Sequence, residues 1–408
     1  MNSLIEEQSK ISKNKNIIFI LIGVVVIFFI VDIMFFQNED YFEVKEKRAE
    51  ILRDLDKDEP IKVGVVWPFF LEKGNNYFKE GVLIAVDELN KKKVLNREIE
   101  VVFRDDKWDV NRAQSIAKEF SNDPHIVAVI AHDNVDVAVP ASIIYEYSGI
   151  VVISPAVSNP SFTHFNFDYI FRNTPSDVVI GEKLAKVAKL MNFRKMVVLH
   201  SDNSYSQALA KIFTEKAVQL GINITDIEKF TDEDQNFIKI LSNISPKVNN
   251  NVDYDAIFVA GYEENVPTLI KQARELDIYA PFITGDALDS PALFSIGKDA
   301  QGTIVATIFN LELLNEKAQD FIETFENIYH IVPDTWAAQG YDAMMLLAKA
   351  IENAGTLEPK KISTQLKYMQ NVDSIFGSYS LNTKGDAVGR NVYVKVVEDG
   401  KFKYLNIN

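Results

Sequence analysis

Residues 149–163 read Gly-Ile-Val-Val-Ile-Ser-Pro-Ala-Val-Ser-Asn-Pro-Ser-Phe-Thr. An apolar, largely β-branched run stops abruptly in small, hydroxylated and proline residues. Residues 150–153 show no alternation of apolar and polar side chains, so the predicted strand must be covered on both faces, as strands of parallel sheets are. Ligands of such sheets collect beyond the carboxyl ends of the strands. Residues 154–158 stand in that place and form a predicted binding loop.

Similar runs recur on either side of this segment. IKVGVVW (61–67), EIEVVF (98–103) and IVAVIA (126–131) precede it, and KMVVLH (195–200), AIFVAG (256–261) and GTIVAT (302–307) follow. Between them lie segments such as 78–89, 178–191 and 266–276, with apolar residues about every three to four positions, which predict amphipathic helices. Strands alternating with such helices predict an α/β fold of βα units around parallel sheets. Thr174-Pro175-Ser176 is a predicted passage between two lobes, because proline restricts its predecessor and Ser176 or Asp177 can cap the next helix.

With 408 residues the chain has room for about two lobes rather than one. It contains no cysteine, which excludes disulfides, thiolate metal sites, a cysteine nucleophile and a lipid-acylated cysteine. The formal net charge of −15, without a long basic block, argues against nucleic acid as a partner of the folded part. Lys91-Lys92-Lys93 reads as a solvated helix end favoured by the helix dipole.

Residues 17–36 are apolar except for Asp32, and at about 1.5 Å per residue they reach across a bilayer core of roughly 30 Å. They predict a transmembrane anchor. The competing reading is a cleaved signal peptide. Against it, Ile, Val and Phe continue to Phe36, and the Gln-Asn-Glu-Asp-Tyr-Phe that follows offers no small-x-small cleavage site. Lys10, Lys13 and Lys15 before the span, with Glu39 and Asp40 after it, place residues 1–16 in the cytoplasm as a short tail. The remainder then lies outside, held to the inner membrane by a single pass. Residues 37–59 are dense in charge, with Val44, Ile51, Leu52 and Leu55 near helical spacing, and read as a stalk: a solvated helix or flexible tether ended by Pro60. The core is expected to lie wholly downstream of it.

IKVGVVW, GVLIAVDELN (81–90), Asp105-Asp106, Ala113-Gln114 and PASIIYEYSG (140–149) precede the binding loop in one order. RNTP (172–175), KMVVLHSDNSY (195–205), YDAIFVAGY (254–262), QARELD (272–277) and WAAQGYDA (336–343) continue it. The ordered series resembles the leucine/isoleucine/valine-binding protein family, the type I periplasmic solute-binding proteins of ABC transporters, from about Pro60 to the C-terminus. The resemblance implies two Rossmann-like lobes with parallel sheets joined by a hinge, here preceded by one transmembrane helix. It also implies further crossings near Thr307 and around 392–397. Residues 60–408 would then divide into lobe 1, about 60–175 and 307–392, and lobe 2, about 176–306 and 393–408.

The resemblance places ligand contacts as well. Burying either charge of an amino acid zwitterion unpaired costs several kcal/mol, so its ammonium needs acceptors and its carboxylate donors. By position, Ala156 offers a carbonyl to the ammonium, and Ser158 offers its hydroxyl and backbone N–H to the carboxylate. The alternative is an ordinary connection capped by Ser158 or Asn159. Asp286, in Thr-Gly-Asp-Ala-Leu, matches the family's ammonium-binding acid, one methylene shorter than glutamate. Tyr205 and Tyr262 match positions that face the cleft. Trp67 and Trp336 would be apolar or cation–π walls, with core packing the equal alternative, and Phe69 and Phe70 would narrow the pocket. At Val135 the sequence departs from the family. Amino acid binders commonly carry a carboxylate-binding serine there, and valine leaves only its backbone N–H. Asp133 and Asp136 make the same loop acidic, which leaves room for a cationic, amide or otherwise modified ligand, although Asp136 can also simply cap the following helix. Asp105-Asp106 reads as structural.

His125, His132, His164, His200 and His330 show no metal-ligand spacing, and the chain holds no Walker A loop, GxGxxG fingerprint or GxSxG elbow. No enzymatic activity, metal or cofactor is expected. The expectation is a membrane-anchored extracytoplasmic solute-binding protein whose lobes close over a small polar ligand, an amino acid or related amine or amide. Its partners would be the membrane subunits of an ABC-type importer. The alternative is a sensory ectodomain that signals through another membrane protein.

Overall fold

The computed structural model describes residues 38–69, 76–245, 253–312 and 315–405. β1 (Ile61–Trp67), β2 (Ile99–Asp105), β3 (Ile126–Ala131), β4 (Val151–Ser154) and β5 (Ile170–Arg172) form a sheet in the order β2-β1-β3-β4-β5, every pair parallel. Every residue of β3 and β4 is buried, as their unalternating sequences require.

β6 (Lys195–Ser201), β7 (Asn223–Phe230), β8 (Ala256–Ala260), β9 (Phe282–Thr284) and β10 (Ile304–Thr307) build a second parallel array in the order β10-β9-β8-β6-β7. β11 (Val372–Ser374), β12 (Gly377–Leu381) and β13 (Ala387–Val388) form a small antiparallel sheet. β14 (Tyr393–Glu398) then joins β10 antiparallel, and β15 (Lys401–Tyr404) joins β14. The second sheet is thus mixed at one edge, a feature the expectation of parallel sheets lacked. The outer pair is local in origin: Asp399 and Gly400, with φ of 51° and 72°, close a two-residue hairpin between β14 and β15 that needs no crossover helix.

The chain passes from the first sheet to the second between β5 and β6. It leaves the second after β10 and rejoins it at β14. The intervening helix Thr335–Ala354 packs on helix Phe78–Lys92 in the core of the first sheet. A Cβ at Gly81 would overlap the Ala337 carbonyl, and one at Gly340 would lie 2.6 Å from the Phe78 carbonyl oxygen. The two backbones approach at a distance only glycine permits. These are the glycines of GVLIAVDELN and WAAQGYDA.

Helix Asn38–Arg53 packs against helix Val135–Ser148. Arg48, only 3% exposed, donates to the carbonyls of Ser121 (2.6 Å), Ile126 (2.9 Å), Asp123 (3.0 Å) and Ser148 (3.1 Å). Lys45 pairs with Glu146 at 3.3 Å, and Leu52 and Leu55 enter the first sheet's apolar core. The expected solvated stalk is therefore a docked element, and the core does not begin at Pro60. Carbonyls at helix ends lack intrahelical donors, and one guanidinium with five N–H groups satisfies several together.

Among the described residues no helix is long and apolar enough to cross a membrane. The expected span at 17–36, the tail at 1–16 and Phe70 lie outside the described residues.

Candidate functional site

The loops that leave the carboxyl ends of the two sheets face one another across a cleft. The first follows β3. His132 is buried, its Nδ1 lying 2.7 Å from Asp106 Oδ2, while Asp106 Oδ1 accepts from the Trp108 backbone N–H at 3.1 Å. Asp106 thus fixes both the β3 exit and the turn carrying Trp108, whose indole N–H donates to Asp133 at 2.7 Å. His132 itself is spent on this structural pair and does not line the cleft cavity.

Helix Val135–Ser148 is capped by Asn134, whose Oδ1 accepts from the N–H groups of Asp136 (3.1 Å) and Val137 (3.2 Å). Asp136 is not the cap. A cap must stand outside the helix on extended backbone, and Asp136 lies within the first turn. Its carboxylate instead reaches the other lobe, accepting from the Ser204 hydroxyl and, at 3.4 Å, from the Ser204 N–H. Val135 is buried and lines the cleft at the first helical position, where a backbone N–H has no intrahelical acceptor.

The loop after β4 brings Ala156, Ser158 and Asn159 into the cleft. Asn159 caps the short 3-10 turn Pro160–Thr163 and spans the cleft by donating to the Ser204 carbonyl at 2.9 Å. Arg172, 1% exposed, donates to the carbonyls of Ser158 (2.7 Å), Asn159 (2.9 Å) and Val157 (3.1 Å) and pairs with Asp386 at 2.6 Å. Gln339 holds the Pro155 carbonyl at 2.8 Å. The loop's backbone shape is set by these two side chains, so that RNTP and WAAQGYDA act on the cleft from behind.

The second lobe contributes Tyr205 after β6, Tyr262 after β8 and Asp286 after β9. Tyr205 donates to Asp286 Oδ1 at 3.1 Å, and its ring stacks on Tyr262 with centroids 5.3 Å apart. Tyr262 in turn lies 5.7 Å from Trp108 of the first lobe. Trp336 lines the cleft. Trp67 does not: it is fully buried behind Trp336, 5.8 Å from its ring, stacked on Phe78 at 3.9 Å and donating to Asn76 at 3.2 Å. Phe69 packs edge-on to Phe103, away from the cavity lining.

The cleft residues enclose about 630 Å³ of empty space, part of it continuous with solvent. Its electrostatics are one-sided. Burial pushes Asp286 up to about 6, against the Tyr205 hydrogen bond that pulls it down. Burial likewise pushes Asp133 up to about 7, with the Trp108 bond opposing and Asp106 and the glutamates of 263–264 adding. Asp177, at the start of helix Asp177–Leu190, is fully buried behind the loop, and neither of its oxygens has a well-formed hydrogen-bond partner. Burial and then Asp286 raise it to about 7, with Ser158 and Arg172 opposing. Tyr205 and Tyr262 are held well above the ordinary phenol range by burial and neighbouring carboxylates. Among the described residues no group of three or more His, Cys, Asp or Glu side chains could hold a metal ion.

Of the residues singled out from sequence, Val135, Ala156, Ser158, Tyr205, Tyr262, Asp286 and Trp336 share this cavity. Trp108 and Asn76, which no sequence pattern marks as site residues, also line it. The only signal for Trp108 was its place just after Asp105-Asp106.

The family model described as periplasmic binding protein matches residues 60–401. The Leu/Ile/Val-binding protein homolog 2 of Brucella abortus is 27% identical over 338 residues, covering 80% of this chain and 88% of that protein. An ABC transporter substrate-binding protein from Desulfitobacterium hafniense, solved in complex with Leu, is 32% identical with a TM-score of 0.77, covering 85% of this chain and 100% of that one. The leucine binding protein LivK of Thermotoga maritima is 26% identical with a TM-score of 0.77, covering 85% and 97%. These relatives are binding proteins rather than enzymes, on the type I fold that the two sheets describe. The chain belongs to the periplasmic binding protein family.

Proposed function

We propose that this protein is a membrane-anchored extracytoplasmic solute-binding protein that captures an amino acid or related amine between its lobes and presents it to an ABC-type importer. The carrying observation is the convergence of loops from both sheets on one cavity. Its donors and acceptors suit a zwitterion's head group: the Ala156 carbonyl and Asp286 accept from the ammonium, while Ser158 and the Val135 N–H donate to the carboxylate. Tyr205, Tyr262 and Trp336 form walls, and Trp67 backs Trp336. Lobe 1 spans about 60–175 and 307–392, lobe 2 about 176–306 and 393–408, and they close by hinge motion at the three passages. The span at 17–36 anchors the chain, with the docked helix Asn38–Arg53 fixing lobe 1 close to the bilayer.

Native mass spectrometry of the detergent-solubilised full chain, purified without dialysis, should find a small amine or amino acid bound. An empty protein that also fails to bind any amino acid or amine by calorimetry would remove this reading. The anchor is checked separately. The full chain should stay in the membrane fraction after carbonate washing, and a soluble form beginning after Phe36 would overturn it.

A further inference from the structure

The cleft cavity continues past the Trp108 and Tyr262 rings into a side chamber holding about 710 Å³ of empty space, part of it open to solvent. Across the two spaces the lining carries six carboxylates, Asp133, Asp136, Asp232, Glu263, Glu264 and Asp286, and no lysine, arginine or histidine. A cleft shaped only for a neutral aliphatic side chain gains nothing from such an excess, because like charges gathered together repel.

An independent feature of the side chamber points to a ligand. Asn265 lines it, is 1% exposed, and stands at the N-cap position of helix Val266–Glu275 without making a capping bond. Its Oδ1 has no hydrogen-bond donor. A buried acceptor left unmet is a standing cost that a donor-rich ligand group would remove. At the junction of the two spaces, Tyr262 lies 5.7 Å from Trp108 and 5.3 Å from Tyr205, presenting aromatic surface that attracts a passing cation. Asp232 accepts from Asn203 at 2.8 Å and from Ser201, and Asp136 accepts from Ser204, so each carboxylate is held in place with lone pairs to spare.

We propose that this side chamber is a second subsite for a cationic group, and that the ligand is an amino acid whose side chain ends in an ammonium or guanidinium. The proposal rests on reading the main cavity as the site of the amino acid head group, and adds where the distal charge goes. Asp232 and Glu264 meet that charge, and the Trp108 and Tyr262 rings flank its alkyl stem.

Calorimetry on the detergent-solubilised full chain, with lysine, norleucine and Nε-acetyl-lysine, tests it. Norleucine is lysine without its ε-ammonium, and acetylation removes the charge while keeping the stem. Lysine should bind at least about tenfold tighter than either, as expected for charge-assisted hydrogen bonds. The lysine-to-norleucine ratio should collapse in Asp232→Asn/Glu264→Gln. If that variant fails to fold, the three-ligand series on the unaltered protein still decides. Norleucine binding as tightly as lysine would overturn the proposal and leave the amino acid cleft standing. A ratio that survives the double substitution would place the charge elsewhere and overturn the side chamber. Binding of none of the three, with no amino acid carried through purification, would remove both readings.

Discussion

Asp286→Asn isolates the charge at the head of the cleft, because a carboxamide keeps the shape and can still accept from Tyr205, whose hydroxyl lies 3.1 Å away. In the unliganded protein the Asp286 carboxyl is raised from 3.8 to about 6, by burial first. A group whose folded pKa lies above its unfolded value contributes stability that is complete below the unfolded pKa and lost as pH rises through the folded one. The window for Asp286 therefore runs from about pH 4 to about pH 7. At about 1.4 kcal/mol per pKa unit, ionising it costs the fold roughly 3 kcal/mol at pH 8. Asparagine carries no such cost. The substitution should leave unliganded stability nearly unchanged at pH 4 and raise it by about 2–3 kcal/mol at pH 8. Binding of an amino acid should weaken by about 2–5 kcal/mol, because a desolvated ammonium loses its charged partner. Denaturant titrations at three pH values, with calorimetry at pH 8 on the same preparations, measure both effects. A variant destabilised equally at every pH, or one that binds its ligand undiminished, would refute the placement of this charge.

Ser158→Ala removes one hydroxyl from a loop whose carbonyls Arg172 holds independently, so binding should weaken by about 1–3 kcal/mol with little change in the unliganded melting temperature. Calorimetry beside thermal unfolding separates the two quantities, and equal losses in both would assign Ser158 to the fold alone. A chain beginning at Pro60 lacks Arg48, Leu52 and Leu55, and should be less stable than one beginning at Asn38 by about 3–5 kcal/mol, on the cost of losing buried leucines. Coincident melting curves for the two truncations would show that the docked helix contributes nothing.

The sheets were legible wherever burial on both faces leaves an unbroken apolar run, as in β3 and β4. The helix crossing was visible only as two motifs, because the reason for Gly81 and Gly340 is a contact between segments some 250 positions apart in sequence. The β14–β15 hairpin is written locally, since Glu-Asp-Gly-Lys carries a strong two-residue turn signal. The stalk misled for a physical reason. Charged residues are exposed by default, and nothing local reveals that Arg48 has helix-end carbonyls waiting for it. The pocket loops were legible through resemblance, residue by residue. Which of two tryptophans faces the cavity was not, since that depends on how β1 and helix Thr335–Ala354 set Trp67 behind Trp336. Asp136 illustrates the same limit: its role across the cleft exists only once Ser204 of the other lobe is brought beside it.

Bonds from two residues of the first lobe converge on one residue of the second. Asp136 and Asn159 of the first lobe both engage Ser204 of the second, at the opening of helix Ser204–Gln219. Behind this clasp, Asp133 and Asp286 in the lining are raised to about 7 and about 6, and Asp177 behind the loop to about 7, so near neutral pH burial disfavours their ionised forms. On the proposed hinge closure, the empty protein would work against itself: the hydrogen bonds at the rim favour closing while desolvation of these acids opposes it. A cationic ligand of the proposed kind would reverse the second term without touching the first. It would gain more from a closed arrangement, where Asp133 and Asp286 line the cavity, than from an open one, where water screens them, and such a difference shifts a two-state equilibrium. A neutral ligand of the same shape fills the space but leaves the acids unpaired. On that proposal, selectivity and lobe closure draw on the same carboxylates.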